Sequence, residues 1–157
     1  MDVTIMPLMP SLIHKLEADF PAITFTEAEH FSWTAEDHTV LYDPTQDDAD
    51  QLLLHEVSHG LLDHKEYRRD VELITMETAA WERAKELATP YAVELSEALI
   101  QDNLDTYRDW LHARSSCPDC TATGYQTDAS TYACPACSHT WRVNEARICQ
   151  LRRYSTK

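Results

Sequence analysis

Leu52-Leu53-Leu54-His55-Glu56-Val57-Ser58-His59-Gly60-Leu61-Leu62-Asp63-His64 carries the motif HExxH from His55 to His59. On a helix, residues four apart share a face, so His55 and His59 can each aim an imidazole nitrogen at one point. Two imidazoles converging in this way suit two of the protein ligands of a catalytic zinc. Glu56 points beside that site rather than into it, where it can act as a general base toward a water.

The chain holds 8 His and 27 Asp+Glu, so the same five letters can also arise as the polar face of a surface helix. The flanks argue against that. Leu52, Leu53, Leu54, Val57, Leu61 and Leu62 leave the segment apolar nearly all round, which predicts a buried helix. Buried imidazoles need partners.

A catalytic zinc usually takes three protein ligands and keeps one position for water. The extended pattern HExxHxxGxxH requires glycine at position 62 and histidine at 65; the chain has Leu62 and Lys65, with His64 one place short. After His64 the next histidine is His112. A carboxylate from the following helical segment is therefore the natural third ligand, and Glu72, Glu77, Glu82 and Glu86 are available. Glu77 is the best of them. It shares a face with Ala80, Trp81 and Ala84, where an unpaired carboxylate is costly and where small residues permit close approach. Glu72 and Glu82 sit on more polar faces.

HEVSHGLLDH followed by ETAAWERA resembles the IrrE/ImmA family of metallopeptidases, which pair HExxH on one helix with a carboxylate ligand on the next, in a segment of the form E-x-x-A-x-x-x-A. The resemblance covers residues 38–90, maps the second segment onto Glu77 to Ala84, and departs at Trp81-Glu82-Arg83, where the family commonly has Asn and Phe. It implies metal-assisted peptide hydrolysis with Glu56 as base, and His64, Tyr67 and Tyr91 as candidate oxyanion donors. It also implies a specific protein substrate, since family members cut a helix-turn-helix repressor in stress or mobile-element responses. The strand expected over 38–42 can either pair with an extended substrate or be an ordinary edge strand.

Cys117-Pro118-Asp119-Cys120 and Cys134-Pro135-Ala136-Cys137 form a CxxC…CxxC pair separated by 13 residues. Each knuckle offers two thiolates, and two knuckles complete a tetrahedral site with no open position, hence a structural zinc. Disulfides or a rubredoxin-like iron are the alternatives. Segments around 124–128, 130–135 and 139–143 read as short strands of a zinc ribbon. A module of about 40 residues has too little core to fold alone, so the metal would be its main source of stability. Tyr125, Tyr132, Trp141 and Arg142 can form either a recognition face for protein or nucleic acid or the ribbon's small core. A peptidase helix followed by a ribbon is also similar to SprT-like proteases, but those use a third histidine that this chain lacks at the required place.

Composition bounds the rest. The 157 residues suit one domain, or one domain with a small appendage, and no run is apolar enough to span a membrane. The segment MDVTIMPLMP has no basic n-region, which predicts a cytoplasmic protein with reduced cysteines. Residues 1–116 hold 8 Lys+Arg and 24 Asp+Glu, a net charge of −16, whereas residues 117–157 hold 5 and 3, a net of +2. The acidic part repels nucleic acid, leaving only Arg142, Arg147, Arg152, Arg153 and Lys157 to touch it. With only Gly60 and Gly124, no Gly-rich phosphate cradle is present, and Cys149 has no nucleophile context.

Along the chain, a helix is predicted over 11–19 with Ser11 as N-cap, then strands over 22–26, 31–34 and 38–42, the last two joined as a hairpin. Helices follow over 47–63, capped by Thr45 or Asp47, over 70–88 and over 91–113. The expected fold class is α+β: a zincin-like domain over 1–113, with a small antiparallel sheet and active-site helices, then a ribbon and short tail over 114–157. The expected metals are one catalytic zinc on His55, His59 and Glu77 and one structural zinc on Cys117, Cys120, Cys134 and Cys137. Two other functions fit the same residues: a silent zincin-scaffold binding module, or a ribbon-led adaptor on protein or nucleic acid.

Overall fold

The computed structural model describes residues 9–144 and the backbone of residues 153–156. Cys149 and the tail cations Arg147, Arg152 and Lys157 lie outside the described residues. The architecture is α+β and divides into two compact units: Met1–Lys65 with Met76–Ile100, and Glu66–Thr75 with Gln101–Lys157. The unit that carries the cysteines thus includes a helical stretch on either side of position 113 and the segment Glu66–Thr75.

In the first unit, helix α1 spans Met9–Asp19 and buries Leu12, Ile13 and Leu16. It starts ahead of Ser11, which is therefore not its cap. Pro10 stands in the first turn, where a missing N–H costs nothing and a fixed φ favours the helix. Strands β1 (Thr24–Glu27), β2 (Ser32–Thr34) and β3 (Thr39–Tyr42) form a sheet of order β1-β3-β2. The sheet is mixed, not antiparallel as expected. β3 pairs antiparallel with β2 through a hairpin, but parallel with β1. The reason is the link over 28–31, which carries the chain from β1 past β3 to its far side. β3 is consequently the central strand with both edges occupied. It cannot accept a substrate strand, and its Val40 is fully buried.

Helix α2 (Ala49–Leu61) packs on β3 and β2. Neither Thr45 nor Asp47 caps it. The Thr45 amide and hydroxyl both donate to Asp43 Oδ1, at 2.9 and 2.7 Å, and the N-cap is Asp48 in a left-handed conformation. Helix α3 spans Asp70–Ala88 as predicted, its residues from Met76 onward belonging to this unit. Helix α4 spans Glu97–Ser115, not 91–113. Ala92, at φ 55°, stops α3 in a Schellman turn, with Val93 N donating to Ala88 O and Ala92 N to Thr89 O. Ser96 Oγ then caps α4 by accepting from Leu99 N, and Ser96 N donates to Gln51 Oε1 on α2.

In the second unit, β4 (Tyr125–Asp128), β5 (Thr131–Ala133), β6 (Thr140–Val143) and β7 (Arg153–Thr156) form an antiparallel sheet in chain order. Part of the expected tail is thus a fourth strand. Tyr132, Trp141 and Val143 make a small core with Cys117 and Cys134, while Tyr125 is 56% exposed and Arg142 faces solvent. Beside it lies a buried polar cluster. Asp70 accepts from Arg114 Nε at 2.7 Å and from the Tyr132 hydroxyl at 2.6 Å, and its own amide donates to Gln126 Oε1. Arg114 also donates to the Asn144 carbonyl and stacks over Trp110. No helix among the described residues is long and apolar enough to cross a membrane.

Candidate metal centres

Helix α2 buries Leu53, Leu54 and Val57 completely, and this sets the rotation that turns His55 and His59 inward. On α3, Ala80, Trp81 and Ala84 are likewise fully buried, and Glu77 lies on that same face one turn earlier. Of the four acidic candidates on α3, only Glu77 joins the two histidines. One ligand atom each from His55, His59 and Glu77 lies within 4.8 Å of the others.

Glu77 Oε2 stands 2.8 Å from His55 Nε2 and 3.2 Å from His59 Nε2. The His59 contact has hydrogen-bond geometry. The closer His55 approach does not, and His55 Nε2 is a buried nitrogen without a hydrogen-bond partner among the described residues. Donors on a tetrahedral zinc at about 2.0–2.1 Å are separated by about 3.3 Å, so the 3.2 Å from Glu77 Oε2 to His59 Nε2 is near that spacing and the 2.8 Å to His55 Nε2 is somewhat shorter. The donor chemistry fits as well: two imidazoles and a carboxylate held almost out of water. Trp81 stacks on the His55 ring at 4.2 Å.

Glu56 is the most exposed of the group at 13%, with Oε1 3.6 Å from His55 Nδ1. Burial raises its pKa, offset in part by His55 and His59 and reinforced by the Glu77 charge. Burial alone would raise Glu77 too, but the imidazoles of His55 and His59 against it override that and hold it well below the usual carboxylate range. The two neighbouring acids are thereby shifted in opposite directions, Glu77 down and Glu56 up.

His64 does not reach the cluster as a fourth donor. Helix α2 ends in a Schellman turn with Asp63 left-handed at φ 55°, His64 N donating to His59 O and Asp63 N to Gly60 O. The turn lays the His64 ring against His59, Nδ1 to Nδ1 at 2.8 Å. Trp33 Nε1 donates to the His64 carbonyl at 3.0 Å. The Trp33 ring lies over Gly60, where a Cβ would stand 2.9 Å from it. Sequence reasoning did not anticipate Trp33 or this role for His64; only the one-place-short spacing of His64 hinted at it. Of the other oxyanion candidates, Tyr91 donates to Asp19 Oδ2 at 2.5 Å, and Tyr67 belongs to the second unit.

The four cysteines also converge. Cys117 and Cys137 lie Sγ to Sγ at 3.7 Å, and Cys120 and Cys134 at 3.4 Å, with all four sulfurs within 4.8 Å of one another. Ligands at about 2.3 Å on a tetrahedron are about 3.8 Å apart, so the set is closed around one metal-sized point. None of the four is paired in a disulfide. The two knuckles repeat one design. Cys117 N donates to Ala122 O and Thr121 N to Cys117 O; Cys134 N donates to His139 O and Ser138 N to Cys134 O. The backbone N–H of Cys137 lowers Cys134 to about 7. The His139 N–H pulls Cys137 down, but burial and the neighbouring thiols outweigh it and push Cys137 up to about 12. Four crowded thiols cannot all ionise unless a cation joins them.

Comparison with known protein families, with curated proteins and with solved structures found no match for this chain.

Proposed function

We propose that this chain is a zinc-dependent metalloendopeptidase of the IrrE/ImmA type, with a zincin-like first unit and a zinc ribbon in the second. The observation that carries this reading is the convergence of His55 Nε2 and His59 Nε2 on Glu77 Oε2, with Glu56 beside them. Zinc, when bound, would supply the Lewis acidity that makes a water acidic near neutrality and polarises a peptide carbonyl. Glu56 takes the proton of the attacking water and delivers it to the leaving amine as the C–N bond breaks. His55, His59 and Glu77 hold their positions because α2 and α3 bury the residues around them. The outer edge of β2, which carries Trp33, offers backbone groups to an extended peptide.

The substrate is a specific protein, and the resemblance makes a helix-turn-helix repressor the first choice. The ribbon braces the second unit, and Tyr125 and Arg142 are the residues it offers to a partner.

Metal analysis and a search for new N-termini test this reading together. The full chain should carry about two zinc ions and Glu77→Ala about one. Cells producing the parent should contain cleaved peptides that are missing from cells producing Glu56→Gln, whose zinc content stays unchanged. A single zinc in the parent, or identical peptide sets, would overturn the enzyme reading.

A further inference from the structure

We infer that His64 is a positioning residue: it accepts a hydrogen bond from the Nδ1–H of His59 and so fixes the tautomer that leaves the His59 Nε2 lone pair facing Glu77. This inference rests on the proposed reading of His55, His59 and Glu77 as cation ligands.

Two Nδ1 atoms at 2.8 Å require a proton between them, because two bare lone pairs at that distance repel. Either imidazole can carry it. His59 Nε2, 3.2 Å from Glu77 Oε2, must be bare to hold a cation, so the His59 proton belongs on Nδ1. His64 then presents a bare Nδ1 and keeps its own proton on Nε2. A partner on the far nitrogen is the usual device that orients a metal-binding histidine.

The surrounding chain is built to deliver this contact. His64 N is held by His59 O and His64 O by Trp33 Nε1, so both backbone groups of His64 are fixed. The left-handed Asp63 reverses the chain, which brings a residue five places after His59 back onto it. Gly60 leaves the room that the Trp33 ring occupies. A histidine in the six-place spacing of HExxHxxGxxH serves as a ligand. This one, a place shorter, meets the opposite nitrogen of His59 instead.

The test uses full-length protein loaded with zinc, titrated with a chelator, in three forms: parent, His64→Phe and His64→Asn. Asn carries an acceptor oxygen near the place of Nδ1, whereas Phe keeps the ring and has no acceptor. The Phe variant should lose one of its two zinc ions with about 10–100-fold weaker affinity, while Asn stays close to the parent. Imidazole nitrogen NMR of the zinc-loaded parent should place the His59 proton on Nδ1 and the His64 proton on Nε2. Equal affinity of Phe and parent, equal weakness of Asn and Phe, or a His59 proton on Nε2 would each overturn the inference. If the parent itself holds only the four-cysteine zinc, this inference and the proposed function fall together. If it holds two and Phe keeps both, only this inference falls.

Discussion

Trp81 lies flat against His55, with ring centroids 4.2 Å apart and planes within 3° of parallel. Trp81 follows Glu77 by four residues, so one face of α3 supplies both the carboxylate that meets His55 Nε2 and the surface that orients its ring. Because Trp81 is fully buried, Trp81→Ala should lower stability by about 3–5 kcal/mol in urea unfolding, and Trp81→Phe by clearly less. A loss below about 1 kcal/mol for Ala would contradict the packing.

The Asp70–Arg114 pair is buried, with 2% and 5% of the two side chains exposed, and is joined by Tyr132. Removing one member of such a pair strands the other charge away from water. Asp70→Ala should therefore cost about 3–5 kcal/mol, and Tyr132→Phe, which deletes one hydrogen bond to a charged group, about 1.5–3 kcal/mol. Denaturant midpoints of the two variants decide the ranking; a Tyr132→Phe loss equal to that of Asp70→Ala would show that the phenol, not the ion pair, dominates.

Alkaline pH should act through the same phenol and through Tyr91. Burial and then Asp70 raise Tyr132, and burial and then Asp19 raise Tyr91. Each folded-state pKa exceeds its unfolded value, so the folded chain holds these protons more tightly. Their contribution to stability is complete below about pH 10 and declines as pH rises through the folded-state values. Absorbance titration should show late-ionising phenols that disappear in a Tyr91→Phe, Tyr132→Phe double variant. An unchanged titration curve in that variant would refute the assignment.

Thr121 and Ser138 follow their cysteine knuckles in left-handed backbone, at φ 66° and 65°. Only glycine adopts that region without a Cβ clash. Thr121→Gly should therefore stabilise the full chain by about 1 kcal/mol, and more than Ser138→Gly, because Thr is β-branched. Melting curves with zinc present give the comparison; a destabilising Thr121→Gly would mean that the hydroxyl, which donates to Cys120 O at 2.6 Å, outweighs the strain.

Local pattern carried much of this protein. The apolar setting of HEVSH was enough for a buried helix, because helical periodicity and burial are properties of neighbours in sequence. The face shared by Glu77, Ala80, Trp81 and Ala84 was enough to single out Glu77, and the knuckle spacing was enough to group the four cysteines. The start of α4 was not legible. Residues 91–95 have helical composition, and what stops them is Ala92 in a conformation that alanine does not favour, held by tertiary packing. Nor was the parallel pairing of β1 with β3, since a short link permits either hand of return.

By itself, the amino-acid sequence determined the α+β class, the helices that bear the histidines and Glu77, and the two knuckles, all through spacings within a few residues. Only the tertiary structure decided that β3 is central, that Trp81 stacks on His55, that Trp33 holds the turn that lays His64 against His59, and that Asp70 and Arg114 meet across 44 residues. Those contacts join residues far apart in the chain. They are set by which buried surfaces and polar groups must be satisfied together, and no local spacing encodes that.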